Sequence, residues 1–230
     1  MRFAALTERA RRLNLELTGH RFLFGSVEVG GNAAAFESVR AREELAAIRA
    51  ESESAWRELL FNAFFSDRLP DVGIVSRDDA LAFGAVGPAA RASGLVEDAR
   101  TTSDRLAYNG FAAIVPHRAA GDVQARLEQR ALEVQQTFDL LASLLDAPVV
   151  AAACEPAGGG RTVGASRVES PRGATLCIVE STNGHVDRLR LRTGSYANWP
   201  VVAHAAAGNL LPDFPLINKS FELCYACADR

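Results

Sequence analysis

Lysine is almost missing from this 230-residue chain: Lys219 is the only one, and the other 24 basic residues are arginine. A codon usage biased to arginine accounts for that. Positive charge is not in excess either, because 28 acidic residues leave a formal net charge of −3. Nucleic-acid binding needs a basic face to neutralise phosphates, so that class is excluded as the default. Long apolar runs are also lacking. The best, Leu140 to Cys154, is broken by Asp146 and Pro148 and falls short of the ~20 residues that a membrane span requires. Any membrane association must therefore come through partners. Glu8, Arg9, Arg11 and Arg12 stand where a signal peptide would need an apolar stretch. Cysteine is scarce too, at four residues, which excludes a disulfide scaffold and points to a reducing compartment with metal or redox chemistry.

What is present is a globular composition, 48% hydrophobic and 23% charged, that excludes disorder and collagen-like repeats. A chain of this length buries roughly 70% of its unfolded surface. Residues 1–230 are read as a single domain, helical over 1–150 and carrying a β-hairpin and ligand tail over 151–230. Phe3, Leu6, Ala10, Leu13 and Leu17 recur at three- and four-residue spacing, which predicts a helix ended by Gly19. A second helical stretch runs from about Asn32 to Phe65, long enough to suggest a bundle. Ser76 with Asp79 predicts a capped short helix to Phe83, and Asp122 can cap a third long helix through Leu145.

Gly84 to Gly94 reads as an ordered, buried loop. It lacks the leading strand and the Gly-Lys-Ser/Thr of a phosphate cradle. From Gly164 the apolar period changes to two. Asn183-Gly184 signals a hairpin between Thr175–Glu180 and the run Arg188-Leu-Arg-Leu-Arg192, whose arginines read as a solvated face. A short helix is predicted after Asn198 with Pro200 in its first turn, and Leu211-Pro-Asp-Phe-Pro-Leu216 is predicted to be extended. The fold class is α+β: mainly a helical bundle, with a small C-terminal β-hairpin region next to a Cys-x-x-Cys.

Two features can carry chemistry. Cys224-Tyr-Ala-Cys227 can converge two sulfurs on one metal, can form a redox pair, or can simply bury two small side chains. Cys154 and Cys177 are isolated, and the four His show no paired spacing for a zinc site. Glu169-Ser-Pro171-Arg172-Gly173 makes a turn between two strands. Arg172 projects from that turn, either as a forked donor for an anionic or polar ligand or as an ordinary surface residue.

The motifs also stand in a telling order. Thr18-Gly-His-Arg21, Gly30-Gly31, Ser76-Arg-Asp-Asp-Ala80, Gly87-Pro-Ala-Ala-Arg-Ala-Ser-Gly94 with Asp98 and Arg100, Glu169-Ser-Pro-Arg-Gly173, Asp213-Phe-Pro-Leu216 and Lys219 through Arg230 follow one another. This order resembles the large subunit of nickel–iron hydrogenases of the membrane-bound, energy-converting kind, the formate hydrogenlyase and hydrogenase-4 type. That kind is homologous to the quinone-site subunit of respiratory complex I.

The resemblance implies a C-terminal portion that holds half of a Ni-Fe site and no cluster of its own. Cys224 matches the thiolate terminal on nickel and Cys227 the one bridging nickel and iron. Arg172 matches the arginine over the open face of the metals, behind Pro171. Ser195 matches a hydroxyl that bonds a cyanide on iron, and Glu222 stands for the acid of an Asp-Pro that usually precedes the first Cys. Further expectations are H2 oxidation or evolution, with the proton taken by a thiolate or Arg172. An Fe-S small subunit would accept the electrons, membrane-arm subunits would be docked, and a maturation protease would act where Arg230 lies. The location would be cytoplasmic, peripheral on the inner membrane. The pattern departs in three ways: Glu222-Leu223 replaces Asp-Pro, Cys177 replaces a His four residues after the turn, and the upstream Cys-x-x-Cys is not in the chain. The retained cysteines favour the hydrogenase side. A complex I-like NADH:quinone oxidoreductase subunit and a non-catalytic scaffold are the alternatives.

Overall fold

A computed structural model describes residues 2–28, 31–32, 38–102, 108, 111–146 and 159–228. Gly30, Cys154 and Arg230 lie outside the described residues. In chain order the elements are α1 (Arg2–Thr18), β1 (Val27–Glu28), β2 (Gly31–Asn32), α2 (Ser38–Leu60), α3 (Ala63–Ser66), α4 (Arg77–Ala82), α5 (Gly87–Ala92), α6 (Val123–Asp146), β3 (Arg161–Ser170), β4 (Gly173–Thr182), β5 (His185–Arg192), α7 (Gly194–Ala206) and α8 (Phe214–Phe221). The protein is α+β, mostly helical, with one three-stranded antiparallel sheet ordered β3-β4-β5.

The chain divides into two compact units, residues 1–63 with 135–156 and residues 64–134 with 157–230. In the first, α1 lays Leu6 against Ile48 and Ala55 of α2, with Phe138 of α6 packed on the cluster. Gly19, at φ +77, ends α1 as its spacing predicts. Arg9 pairs with Glu44 and Glu51 at 2.8 and 2.7 Å. These half-exposed pairs orient the helices more than they stabilise them.

The second unit holds the larger core. Ala80, Ala85, Ala89 and Ala90 from α4, α5 and the segment between them meet Val201, Val202 and Ala205 of α7 and Ile217 and Phe221 of α8. Alanine at the contacts lets these short helices approach closely. Ser76 caps α4, its hydroxyl accepting the Asp79 N–H at 3.0 Å. Asp122 caps α6 by accepting the Ala125 N–H at 2.8 Å. Both caps stand where the sequence predicts them.

Four local expectations are corrected. The segment 84–94 contains the helix α5: Pro88 sits at the helix start, where its missing N–H costs nothing, and alanines follow it. The stretch 32–65 is not one helix, since α2 ends at Leu60 and α3 starts at Ala63. The helix expected after Asn198 begins four residues earlier and carries Pro200 inside it. Thr193 is the reason, because its hydroxyl caps the helix by accepting the Tyr196 N–H at 3.2 Å. The segment 211–216 is helical, a 3-10 turn over Leu211–Asp213 running into α8, because Pro212 and Pro215 occupy first-turn positions.

Candidate functional site

The C-terminal cysteine turn leaves α8 through a sharp cap. Glu222 takes the left-handed conformation at φ +53, and its N–H returns to Lys219 O at 3.0 Å. Three arginines hold this helix end, two of them through its exposed carbonyls. Arg130 bonds Ser220 O at 3.3 Å and Phe221 O at 2.6 Å. Arg172 Nε bonds Glu222 O at 2.5 Å. Arg126 bonds Ser220 Oγ at 2.8 Å and lies 4.2 Å over the Phe221 ring. Cations at a helix C-terminus complement its dipole. Burial pushes the Arg126 guanidinium down to about 9 and lowers Arg130 as well.

Cys224 and Cys227 are then seated on the start of α7. Ser195, which is buried, accepts the Cys224 N–H at 3.0 Å. Thr193 donates to Cys227 O at 3.0 Å, and Trp199 packs its ring 5.1 Å from Tyr225. The two thiols share this one turn. A hydrogen bond from Cys227 holds the Cys224 thiol below the usual cysteine range. The Cys227 and Ala226 amides and the nearby Arg172 charge add to it against the cost of burial.

Arg172 arrives from the β3–β4 turn, whose tip is wedged against α5 and α7 by three glycines. A Cβ on Gly87 would sit 2.3 Å from Gly173 Cα, and one on Gly194 would sit 2.6 Å from Arg172 O. Asn198 locks the junction. Its amide exchanges two 3.0 Å bonds with the Val86 backbone and donates to Arg172 O at 3.3 Å. Pro171 is exposed at the same turn. The Glu222 carboxylate pairs with Lys219 Nζ at 3.0 Å.

Behind the turn lies a buried charge network. Arg91, only 1% exposed, bonds Glu133 at 2.7 Å and meets Glu169 and Asp98 at 3.2 Å each. Arg100 grips both oxygens of Asp98 at 2.9 and 2.7 Å. Glu169 Oε2 accepts the Ala99 N–H at 3.0 Å, which ties β3 to the segment after α5. Burial pushes the Asp98 carboxyl up, but the Arg100 hydrogen bonds and the Arg91 charge overcome that and leave it low. Glu169 is shifted the other way, raised by burial.

A lowered carboxyl contributes stability above its unfolded value of about 3.9, and the contribution disappears as pH falls through the folded value. Asp98→Asn is therefore expected to cost about 3 kcal/mol at neutral pH. The gap from the wild type should close on acidification below about pH 4. Urea unfolding across that range checks it, and a gap independent of pH would contradict it.

Sequence reading missed Arg91, Arg126, Arg130, Thr193 and the clamp role of Asn198. Arg126 and Arg130 are one helical turn apart on α6, and only the fold brings Ser220 and Phe221 of α8 to them. Among the described residues no third Cys, His, Asp or Glu joins Cys224 and Cys227 to complete a metal-binding group.

The family model for the 49 kDa subunit of respiratory-chain NADH dehydrogenase matches residues 1–155 and 156–230. The chain belongs to this 49 kDa subunit family. Similar proteins fall on two sides of it. The carbon monoxide-induced hydrogenase of Rhodospirillum rubrum is 30% identical over 175 residues, covering 74% of this chain and 48% of that protein. Formate hydrogenlyase subunit 5 of Escherichia coli K12 is 28% identical across 100% of this chain and 42% of its own length. An NADH-quinone oxidoreductase subunit of Akkermansia muciniphila is 28% identical over 94% of this chain and 60% of that protein. A chain of the membrane-bound sulfane sulfur reductase, an archaeal respiratory membrane complex, superimposes with a TM-score of 0.87 at 26% identity, covering 99% of this chain and 65% of that one. The chain spans about half the length of the curated relatives it matches. Among the described residues of this 49 kDa-family chain, no helix is long and apolar enough to cross a membrane.

Proposed function

We propose that this chain is the part of a hydrogenase-type large subunit that supplies two of four thiolates to a nickel–iron centre. The observation that carries the reading is the Cys224–Cys227 turn, two thiols seated by Ser195 and Thr193 with Arg172 beside them. Soft thiolates suit nickel and iron, so this donor set fits half of such a site. The remaining donors would come from outside the described residues. When bound, the centre would polarise H2 for heterolytic cleavage.

The chain's own residues hold and orient. Arg130 and Arg172 fix the backbone that leads into Cys224, and Ser195 sets its first peptide. A thiolate on this turn is the base that takes the proton. The Arg172 guanidinium presents its remaining N–H groups to charge developing beside it. Ser195 also offers a hydroxyl proton to an anionic ligand. Electrons would leave to an Fe-S small subunit. Docking would be peripheral, through membrane-arm subunits on the cytoplasmic face, and a maturation protease would act at the tail.

A second reading has its own support, since the family model and several relatives are NADH-quinone oxidoreductase subunits. There the thiols would be inert and the complex would reduce quinone. The complex containing this chain is assayed for H2-dependent reduction of a viologen dye and for quinone reduction. The first reading expects the dye reaction, and quinone reduction without any H2 activity would overturn it.

A further inference from the structure

The three-stranded sheet carries a feature that the cysteine site does not use. Register places Arg167 opposite Leu176 and Arg192, and Ala165 opposite Ile178 and Arg190. Val163 lies opposite Glu180 and Arg188. With Arg161, one residue pair further along, one face of the sheet therefore presents five guanidiniums against Glu180 and the largely buried Glu169, while Asp187, at the β5 bulge, accepts from Thr182 at 2.6 Å. Glu180 is shared by Arg161 at 2.8 Å and Arg188 at 4.0 Å. Glu97, from the segment after α5, lies 3.8 Å from Arg167. Among the described residues, Arg190 and Arg192 have no carboxylate partner. This is a cationic surface in a chain whose net charge is −3.

The opposite face is different in kind. It carries Ser166, Val168, Cys177, Val179, Leu189 and Leu191, without an acid or a base among them. Every residue of β5 is exposed, with Leu189 at 50% and Leu191 at 38%. Among the described residues β5 is also an edge, because it pairs with β4 alone. An eight-residue edge without proline offers a row of unpaired backbone groups to another strand.

The alternation Arg188-Leu189-Arg190-Leu191-Arg192 specifies what can pair there. Residues directly opposite on neighbouring strands fall on the same face, and like charges opposite each other are destabilising. A second copy of β5 would set Arg against Arg, so self-pairing is disfavoured. An added strand with acids at alternate positions would set them against the arginines. The apolar residues between would meet Leu189 and Leu191. At the base of the cationic face, Leu81, Ala85, Leu95, Leu176, Arg167 and Arg192 line a cavity of about 270 Å³. Its floor is apolar, and its rim carries Arg192 and the Arg167–Glu97 pair.

We propose that β5 is a docking edge for an extended segment of a partner protein in which acidic and apolar residues alternate, bound by strand addition. Main-chain bonds supply affinity and the two faces supply specificity. The probe is a fluorescent peptide of alternating Glu and Val, seven residues long, titrated into the full chain. Controls are the same peptide with Lys for Glu, the same peptide with Pro for its central Val, and vesicles of phosphatidylcholine with about 30% phosphatidylserine.

The alternating acidic peptide should bind, weakening roughly tenfold between about 50 and about 300 mM NaCl. The Lys and Pro peptides should bind at least tenfold less tightly. In the variant Arg188→Glu/Arg190→Glu/Arg192→Glu the preference should reverse toward the Lys peptide, with an unchanged far-UV spectrum. If that variant does not fold, Arg190→Glu alone should still weaken the acidic peptide severalfold. Equal binding of the Pro peptide would reduce the effect to diffuse charge attraction and overturn strand addition. Binding to the vesicles in preference to the peptide, or no peptide binding at low salt, would overturn the proposal as well.

Discussion

A complex assembled with Cys227→Ala is expected to contain no nickel–iron centre and to have lost its H2 activity entirely, while the chain itself still folds. The fold should survive because the Cys227 carbonyl accepts from Thr193 at 3.0 Å, a bond that does not depend on the sulfur. Alanine keeps that bond. What it removes is one of two sulfurs, and with it the hydrogen bond that favours the Cys224 thiolate. Loss of one ligand of a four-thiolate set leaves a metal under-coordinated and reactive, so occupancy and activity should vanish together. A Cys177→Ala complex is the comparison. Cys177 lies on β4, opposite Ser166 and Leu191, and should be dispensable for both. Metal content together with an H2-dependent dye assay reads the difference. Full H2 activity in Cys227→Ala would contradict the reading of this turn as a metal site.

Gly87→Ala should be among the most damaging single-methyl changes in the larger unit. At φ +67 an L side chain is already strained, and the new Cβ would stand 2.3 Å from Gly173 Cα and 2.6 Å from Gly173 N. Neither atom belongs to a flexible side chain, so backbone must move. The expected cost is on the order of 4 kcal/mol, at the upper end for point substitutions. The displaced element would be the β3–β4 turn, so Arg172 should lose its hold on Glu222 O and the cysteine turn should loosen. Gly164→Ala is the control: nothing lies within 4 Å of a Cβ there, and alanine in a strand should be neutral or slightly stabilising. Urea unfolding of both variants tests this. Near-wild-type stability for Gly87→Ala would contradict the wedged-turn geometry.

These two expectations mark where sequence alone is informative. The helix caps at Ser76 and Asp122, the stop at Gly19 and the Asn183-Gly184 turn are all readable, because each is decided by residues within a few positions of one another. The cysteine spacing and the Arg172 turn are readable for the same reason. Pro88, Pro200, Pro212 and Pro215 mislead, since a proline is a helix breaker or a helix starter according to what caps it. Thr193, which makes that difference for Pro200, acts through a hydroxyl whose orientation only the fold settles. The arginine supports of α8 are illegible for another reason. Arg126 and Ser220 are far apart in sequence, and nothing local to either announces the other. The Arg91 network is illegible because Arg91, Glu133 and Glu169 lie far apart in sequence and meet only where α5, α6 and β3 bury them together. The glycines at 87, 173 and 194 are visible as glycines, but their shared purpose appears only where three backbones meet.

The central claim is that the Cys224–Cys227 turn is half of a working metal site. Quantifying nickel and iron in the purified native complex that contains this chain tests it directly. Close to one nickel and one site iron per chain, beyond the iron of any Fe-S clusters, is the predicted result. A complex that is fully active with quinone and free of nickel would contradict it.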